Sequence, residues 1–223
     1  MIFTIESAKM QVEKLIQKYQ GLSIVESSDS LIRLNGSILV HRVLNDFPLR
    51  KAYALDVCIP IGSDELPYIV DCAKEIDEAY HHRYPDGKLC LETDSKIRIR
   101  FINGFNLLEW MDEFVEPYFV SYEYYQLFGQ FPNGERSHGM KGILESYQEL
   151  LCAKDIVETF RLMLHIKETP YRGHLECPCD SGFQMRKCHG KWMLPFYSDE
   201  RMKKIMLEDL NCLEVLLDGA KKD

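Results

Sequence analysis

The chain has 223 residues, 46% hydrophobic, with a formal net charge of −8. That length and apolar content exclude global disorder and allow one large domain, or a domain with appendages. The last sixty residues balance ten Lys+Arg against ten Asp+Glu, so the whole excess lies in the first 163, and that acidic part argues against nucleic-acid binding. No run approaches the roughly 18 apolar residues of a membrane span, and Met1-Ile2-Phe3-Thr4-Ile5-Glu6 has no secretory character, so the expected location is cytoplasmic.

In chain order, Ile5, Ala8, Val12, Leu15, Ile16 and Tyr19 share one helical face, closed by Gly21. Ser30 to His41 reads as strand, with Asn35-Gly36 as a candidate hairpin turn. Tyr53, Leu55, Val57, Ile59 and Ile61 alternate as a half-buried strand does, and Pro67-Tyr68-Ile69-Val70 starts another. An irregular passage runs from Tyr80 to Leu91. Ile97, Ile99 and Phe101 alternate once more, which predicts a further strand. Leu107, Leu108, Met111, Phe114 and Val115 return to helical spacing, with Pro117 placed past the end. Tyr118, Tyr122 and Tyr125 continue as a second short helix.

Phe131-Pro132-Asn133-Gly134 is a loop and a candidate domain boundary. Ser137-His138-Gly139 reads as a turn or helix cap. Ile143, Tyr147, Leu150 and Leu151 mark one helix. Ile156, Phe160, Met163 and Leu164 mark another, with Asp155 as its N-cap, and the two form a helical hairpin. A last helix follows Ser198, lined by Met202, Ile205, Met206, Leu210, Leu213 and Leu217 and ended by Gly219.

Eight cysteines divide by context. Cys58, Cys72, Cys152 and Cys212 sit singly in apolar patterns, where core packing is the expectation and reduced thiols are favoured over disulfides. Cys177, Cys179, Cys188 and His189 differ: three thiols and an imidazole fall within thirteen residues that have almost nothing apolar to bury. Gly182 lets the chain fold back so that the two pairs converge. Four such ligands suit structural Zn2+ and leave no open position for catalysis. Metal binding would also supply folding energy that so short a segment lacks. The run Cys177-Pro178-Cys179-Asp180-Ser181-Gly182 through Cys188-His189-Gly190 resembles the SEC-C motif, a zinc-binding tail also found on the bacterial SecA translocase. The resemblance implies a binding appendage for protein partners, with Arg186, Lys187 and Lys191 forming a basic surface beside the metal.

Cys90 has no neighbouring thiol, and His81, His82 and Arg83 precede it closely. A nearby cation raises the thiolate fraction of a cysteine, and a histidine can donate to a developing oxyanion. A lone cysteine in Leu89-Cys90-Leu91 is more often core than nucleophile. The order of elements, with Gly87-Lys88-Leu89-Cys90-Leu91 and Leu66-Pro67-Tyr68-Ile69-Val70, resembles the ubiquitin-conjugating (UBC-like) family over about residues 5 to 120. More narrowly, it looks like the divergent bacterial members found beside ubiquitin-like modifiers and activating enzymes, often in antiphage defence operons. The family's His-Pro-Asn tripeptide is absent, and its tryptophan shortly after the cysteine is missing.

The resemblance implies an α+β fold: a UBC-like antiparallel meander with flanking helices over residues 1–129. A helical hairpin (130–170), a zinc tail (171–192) and a C-terminal helix (193–223) would follow. It implies an acyltransferase that accepts a modifier as a thioester on Cys90 and passes it to an amine. By spacing, His82 falls where the family places its oxyanion-stabilising asparagine, with His81 the second candidate, and Asp86 would orient or deprotonate the amine. The implied partners are a ubiquitin-like modifier, its activating enzyme and a protein target. The alternative is a catalytically inactive UBC-like or RWD-like scaffold that recruits partners through the zinc tail.

Overall fold

The computed structural model describes residues 2–132, 134 and 137–219, with side chains through residue 213. It is α+β, and the chain divides into two compact units. The first comprises residues 1–92 and 103–135, and the second residues 93–102 and 136–223. Asn133, within the loop expected at the boundary, lies outside the described residues, as does the side chain of Leu217.

In the first unit, α1 (Ile5–Lys18) begins at a reciprocal cap: Thr4 Oγ1 accepts from the Ser7 N–H, and Ser7 Oγ accepts from the Thr4 N–H. Four strands follow, β1 (Leu22–Ser27), β2 (Leu31–Leu44), β3 (Phe47–Pro60) and β4 (Tyr68–Val70). They form one antiparallel sheet in the order β1-β2-β3-β4. One face of β2 and β3 carries Ile32, Leu34, Ile38, Val40, Tyr53, Leu55, Val57 and Ile59, all buried. Onto β2 and β3 packs α4 (Glu116–Phe128), and the Tyr53 and Phe119 rings stack with centroids 4.1 Å apart.

The expected hairpin at Asn35-Gly36 is not made. β2 runs unbroken to Leu44, and the chain reverses at Asn45-Asp46, with φ of 47° and 62°, both in the left-handed range a two-residue turn requires. Gly36 is needed for another reason. A Cβ there would lie 1.9 Å from the Gly21 carbonyl oxygen, so its absence lets β1 pair closely.

α3 (Leu107–Trp110) runs through a π-helical segment (Met111–Val115) into α4. Pro117, expected past a helix end, instead lies inside this continuous helical run, directly after the π-helical segment. Gln11 ties α1 to α3, donating to the Phe105 carbonyl at 3.0 Å and accepting the Leu107 N–H at 2.9 Å.

The second unit contains α2 (Asp94–Arg100), where a strand was expected from Ile97, Ile99 and Phe101. Over seven residues, alternation does not separate strand from helix, because a short helix spaces residues 95 and 99, or 97 and 101, onto shared faces. Asp94 in its first turn and Arg98 and Arg100 in its last suit the helix dipole. The expected hairpin is α5 (Gly139–Leu151) and α6 (Ile156–Glu168), with the Asp155 carboxylate accepting the Glu158 N–H at 2.8 Å as N-cap. His138 stands at the N-cap position of α5 without a side-chain cap bond, and Ser137 bonds Glu145 instead. α7 (Gly190–Ser198), which the apolar pattern did not announce, precedes α8 (Glu200–Gly219). Tyr147, Leu162, Met163, Ile166, Met193, Phe196, Met206 and Leu210 make the core of this unit.

Of the four cysteines expected in the core, only Cys58 is buried. Cys72 lies in the turn after β4, Cys152 is the left-handed C-cap of α5, and Cys212 is on the outward side of α8, so all three are exposed.

Candidate functional site

Cys177, Cys179, Cys188 and His189 converge in the second unit, with their ligand atoms all within 4.8 Å of one another. The local fold explains why. The Cys177 N–H donates to the Phe183 carbonyl and the Met185 N–H to the Leu175 carbonyl, both at 2.8 Å, closing a small loop. Asp180 and Gly182, with φ of 61° and 74°, turn its tip. Met185 plugs the loop into the core of the unit. A 3-10 turn (Met185–Lys187) then delivers Cys188 and His189 to the start of α7. The fit there is close, since a Cβ on Gly190 would meet the Met185 carbonyl oxygen at 2.6 Å.

His189 Nδ1 lies 3.4 Å from Cys177 Sγ and 3.3 Å from Cys188 Sγ, and the Cys179 and Cys188 sulfurs are 3.4 Å apart. Edges of about 3.5–3.8 Å follow from tetrahedral bonds near 2.3 Å to sulfur and 2.0–2.1 Å to nitrogen. The other imidazole nitrogen faces away: Nε2 is 3.3 Å from the Cys152 carbonyl oxygen and 3.9 Å from Glu158 Oε2. Such an outer partner fixes which nitrogen is presented to a metal.

Without a cation the sulfurs share protons unequally. Burial pushes the Cys177 thiol up to about 12. Burial also opposes ionisation of Cys179, but hydrogen bonds from Ser181 and the other two cysteines outweigh it and hold that thiol down to about 6. Three thiols and an imidazole around one point fit a soft-to-borderline divalent cation, and the cluster could hold a metal ion.

The thiol expected to be chemical lies in the first unit. Cys90 is half-buried at the end of a passage fastened to the edge of β4. The Asp71 N–H donates to the Gly87 carbonyl and the Leu89 N–H to the Ile69 carbonyl. Gly87, at φ 86°, turns the loop under Val70. The ion pair of Arg83 with Asp71, 3.4 Å apart and buried, holds it from within. The Cys90 N–H donates to the His82 carbonyl at 2.8 Å, and the Tyr118 hydroxyl donates to that same oxygen at 3.1 Å.

A ring nitrogen of His82 therefore stands within 4.8 Å of the Cys90 sulfur. Its ring rests edge-on against Tyr80 and Phe131, centroids 5.6 and 5.4 Å away. His81 is exposed. Asp86 is exposed in the turn, its carboxylate accepting the Lys88 N–H at 3.0 Å. Burial, with Tyr80 and Cys90 nearby, pushes the Tyr118 phenol upward, so it stays a hydroxyl donor.

Sequence spacing missed the aromatic wall of Tyr80, Tyr118 and Phe131, and the outer partners Cys152 and Glu158. Tyr118, Tyr122 and Tyr125 were visible at helical spacing, but nothing local joined them to Tyr80. No protein-family model, curated protein or solved structure matches the chain. Among the described residues, no helix is long and apolar enough to cross a membrane.

Proposed function

We propose that the chain is a ubiquitin-like-modifier conjugating enzyme of UBC-like architecture, with Cys90 as its acyl carrier and a structural zinc at Cys177, Cys179, Cys188 and His189. The observation that carries this reading is the placement of the His82 ring within 4.8 Å of the Cys90 thiol, on a passage pinned at both ends. The N-terminal helix, the four-strand meander and the thiol-bearing passage after β4 occur in the order the UBC-like resemblance implies.

In the first half-reaction the Cys90 thiolate attacks the carbonyl carbon of a modifier's C-terminal thioester. A C–S bond to Cys90 forms, the bond to the activating enzyme's sulfur breaks, and that sulfur takes up the proton Cys90 gave up. In the second, an amine nitrogen of the target attacks the same carbon. An amide forms, Cys90 leaves as thiolate, and the nitrogen loses its proton, with Asp86 the candidate acceptor. A thioester is activated enough that the protein's work is positioning and oxyanion stabilisation. His82, held by its neighbours, supplies the N–H donor for that charge.

Zinc would close the cysteine–histidine loop covalently and take no part in acyl transfer, since four protein ligands leave no open position. The test is Cys90→Ser incubated with a ubiquitin-like modifier and its activating enzyme, read by intact mass. A thiol-resistant, alkali-sensitive ester on the variant and a thiol-sensitive adduct on the natural chain are expected. A chain that stays unmodified while still binding the modifier would make it a scaffold instead.

A further inference from the structure

β1 pairs with β2 only as far as Gly36, with one more bond from the Ser37 N–H to the Gly21 carbonyl, whereas β2 continues to Leu44. The direction of its backbone groups follows from register. Ser37 donates toward β1, and along a strand alternate residues face alternate neighbours. Leu39, His41 and Val43 therefore point their N–H and C=O groups away from β3. The prolines agree: Pro48 lies opposite Val43 and Pro60 opposite Leu31, positions where no ladder donor is needed. Among the described residues, no backbone partner covers these groups at the open edge.

Edges left like this are normally blunted by bulges, charges or proline. β1 carries a bulge between Ile24 and Glu26, but β2 beyond Gly36 has none and exposes Leu39 (51%) and Val43 (67%). A cavity of about 760 Å3 runs beside it, lined by Lys18 and Gly21, by Ser37, Leu39 and His41, and by Glu116. That volume falls within the range of roughly 300–1,000 Å3 usual for binding clefts. On its inner side Arg42 is shared between two carboxylates, Asp112 and Glu116, and Glu116 also accepts the Tyr19 hydroxyl at 2.5 Å. The Lys18 ammonium sits over the Tyr19 ring, 5.1 Å from its centroid.

We propose that the open edge of β2, residues 38–44, takes an extended segment of a partner protein by strand addition, with basic side chains turned toward Asp112, whose carboxylate is half exposed. Strand addition draws its affinity from main-chain bonds and its selectivity from alternate side chains. Here the alternate set against Leu39 and Val43 would be apolar and the other set Lys or Arg. The groove is walled by the end of α1 and by the π-helical segment.

The test uses the full chain with the capped peptide Thr-Val-Lys-Val-Lys-Val-Thr. Amide exchange followed by NMR should slow at Leu39, His41 and Val43 by about tenfold or more, while Ile38, Val40 and Arg42, already bonded to β3, stay unchanged. N-methylating the three valines of the peptide should weaken binding by about tenfold or more, as should replacing both lysines with glutamate. His41→Pro, which removes one open N–H without touching the β3 ladder, should do the same, and His41→Ala should not. Equal binding of the N-methylated peptide, protection elsewhere, no binding at about 1 mM, or self-association of the chain through this edge would overturn the proposal.

Discussion

Arg83 and Asp71 form an ion pair of 3.4 Å whose side chains are only 5% and 4% exposed. Asp71 also accepts the N–H groups of Glu75 and Ile76, both at 3.0 Å, so this one carboxylate organises the turn after β4 and anchors the passage that carries Cys90. Removing one partner leaves a buried charge unanswered. Arg83→Met is expected to cost about 3–5 kcal/mol in urea unfolding. The double change Arg83→Met with Asp71→Asn should recover part of that loss, since no lone charge remains. A double variant as unstable as the single one would assign the cost to lost packing instead.

Metal retention should depend on groups beyond the four ligands. Glu158, 6% exposed, lies 3.9 Å from His189 Nε2. Loss of an outer partner of a ligating histidine typically weakens metal binding about ten- to hundredfold. Glu158→Ala leaves the Cys152 carbonyl in place 3.3 Å from Nε2, so it should weaken binding by about tenfold or less in competition with a chromophoric chelator, and total metal should be about one zinc per chain. Chelation of the natural protein should speed amide exchange at residues 175–189 first.

Asp209 makes the second unit sensitive to pH. Burial raises its carboxyl above the ordinary 3.8, against hydrogen bonds from Ser95 and Tyr147, the latter 2.7 Å long. The folded state therefore holds this proton more tightly than the unfolded chain. Its contribution is fully present below the ordinary value and is lost as pH rises through the raised one. Asp209→Asn should raise Tm at neutral pH, and the gain should shrink toward zero as pH falls below about 4. A gain independent of pH would remove Asp209 as its source.

Gly36 tests the close pairing of β1 with β2. With φ at 147° and the Gly21 oxygen 1.9 Å from the site of a Cβ, Gly36→Ala is expected to cost about 3–4 kcal/mol, because backbone must move. Gly62→Ala, at φ 67° with open space around it, should cost only about 1–2 kcal/mol. Similar losses for the two would mean that conformational preference alone, and not the close approach, makes Gly36 necessary.

The residues themselves settled much of the architecture. A 3.6-residue period in Ala8, Val12 and Leu15, and alternation from Tyr53 to Ile59, picked out residues of the core of the first unit, although β3 is buried on both faces from Leu55 to Pro60 rather than half-buried. The cysteine–histidine cluster was legible for a similar reason: four ligands within thirteen residues, joined by a glycine turn, have little else to do. Local pattern failed where a run was short or a residue served a distant neighbour. Ile97 to Phe101 fits two periodicities, and Gly36 looked like a turn because the Gly21 carbonyl that requires it is fifteen positions away in the chain.

The sequence determined which residues are available for chemistry: one solitary thiol preceded by histidines, and one ligand quartet. Spacing had ranked His82 first; the tertiary structure brings a ring nitrogen of His82 within 4.8 Å of the Cys90 sulfur, its carbonyl held by Cys90 and Tyr118 and its ring by Tyr80 and Phe131. It also decided that His189 offers Nδ1, since the Cys152 carbonyl meets Nε2. That β2 outruns β1 and leaves an edge open was likewise settled only by the fold. Each of these depends on contacts between segments far apart in the chain, and no local period or propensity records such contacts.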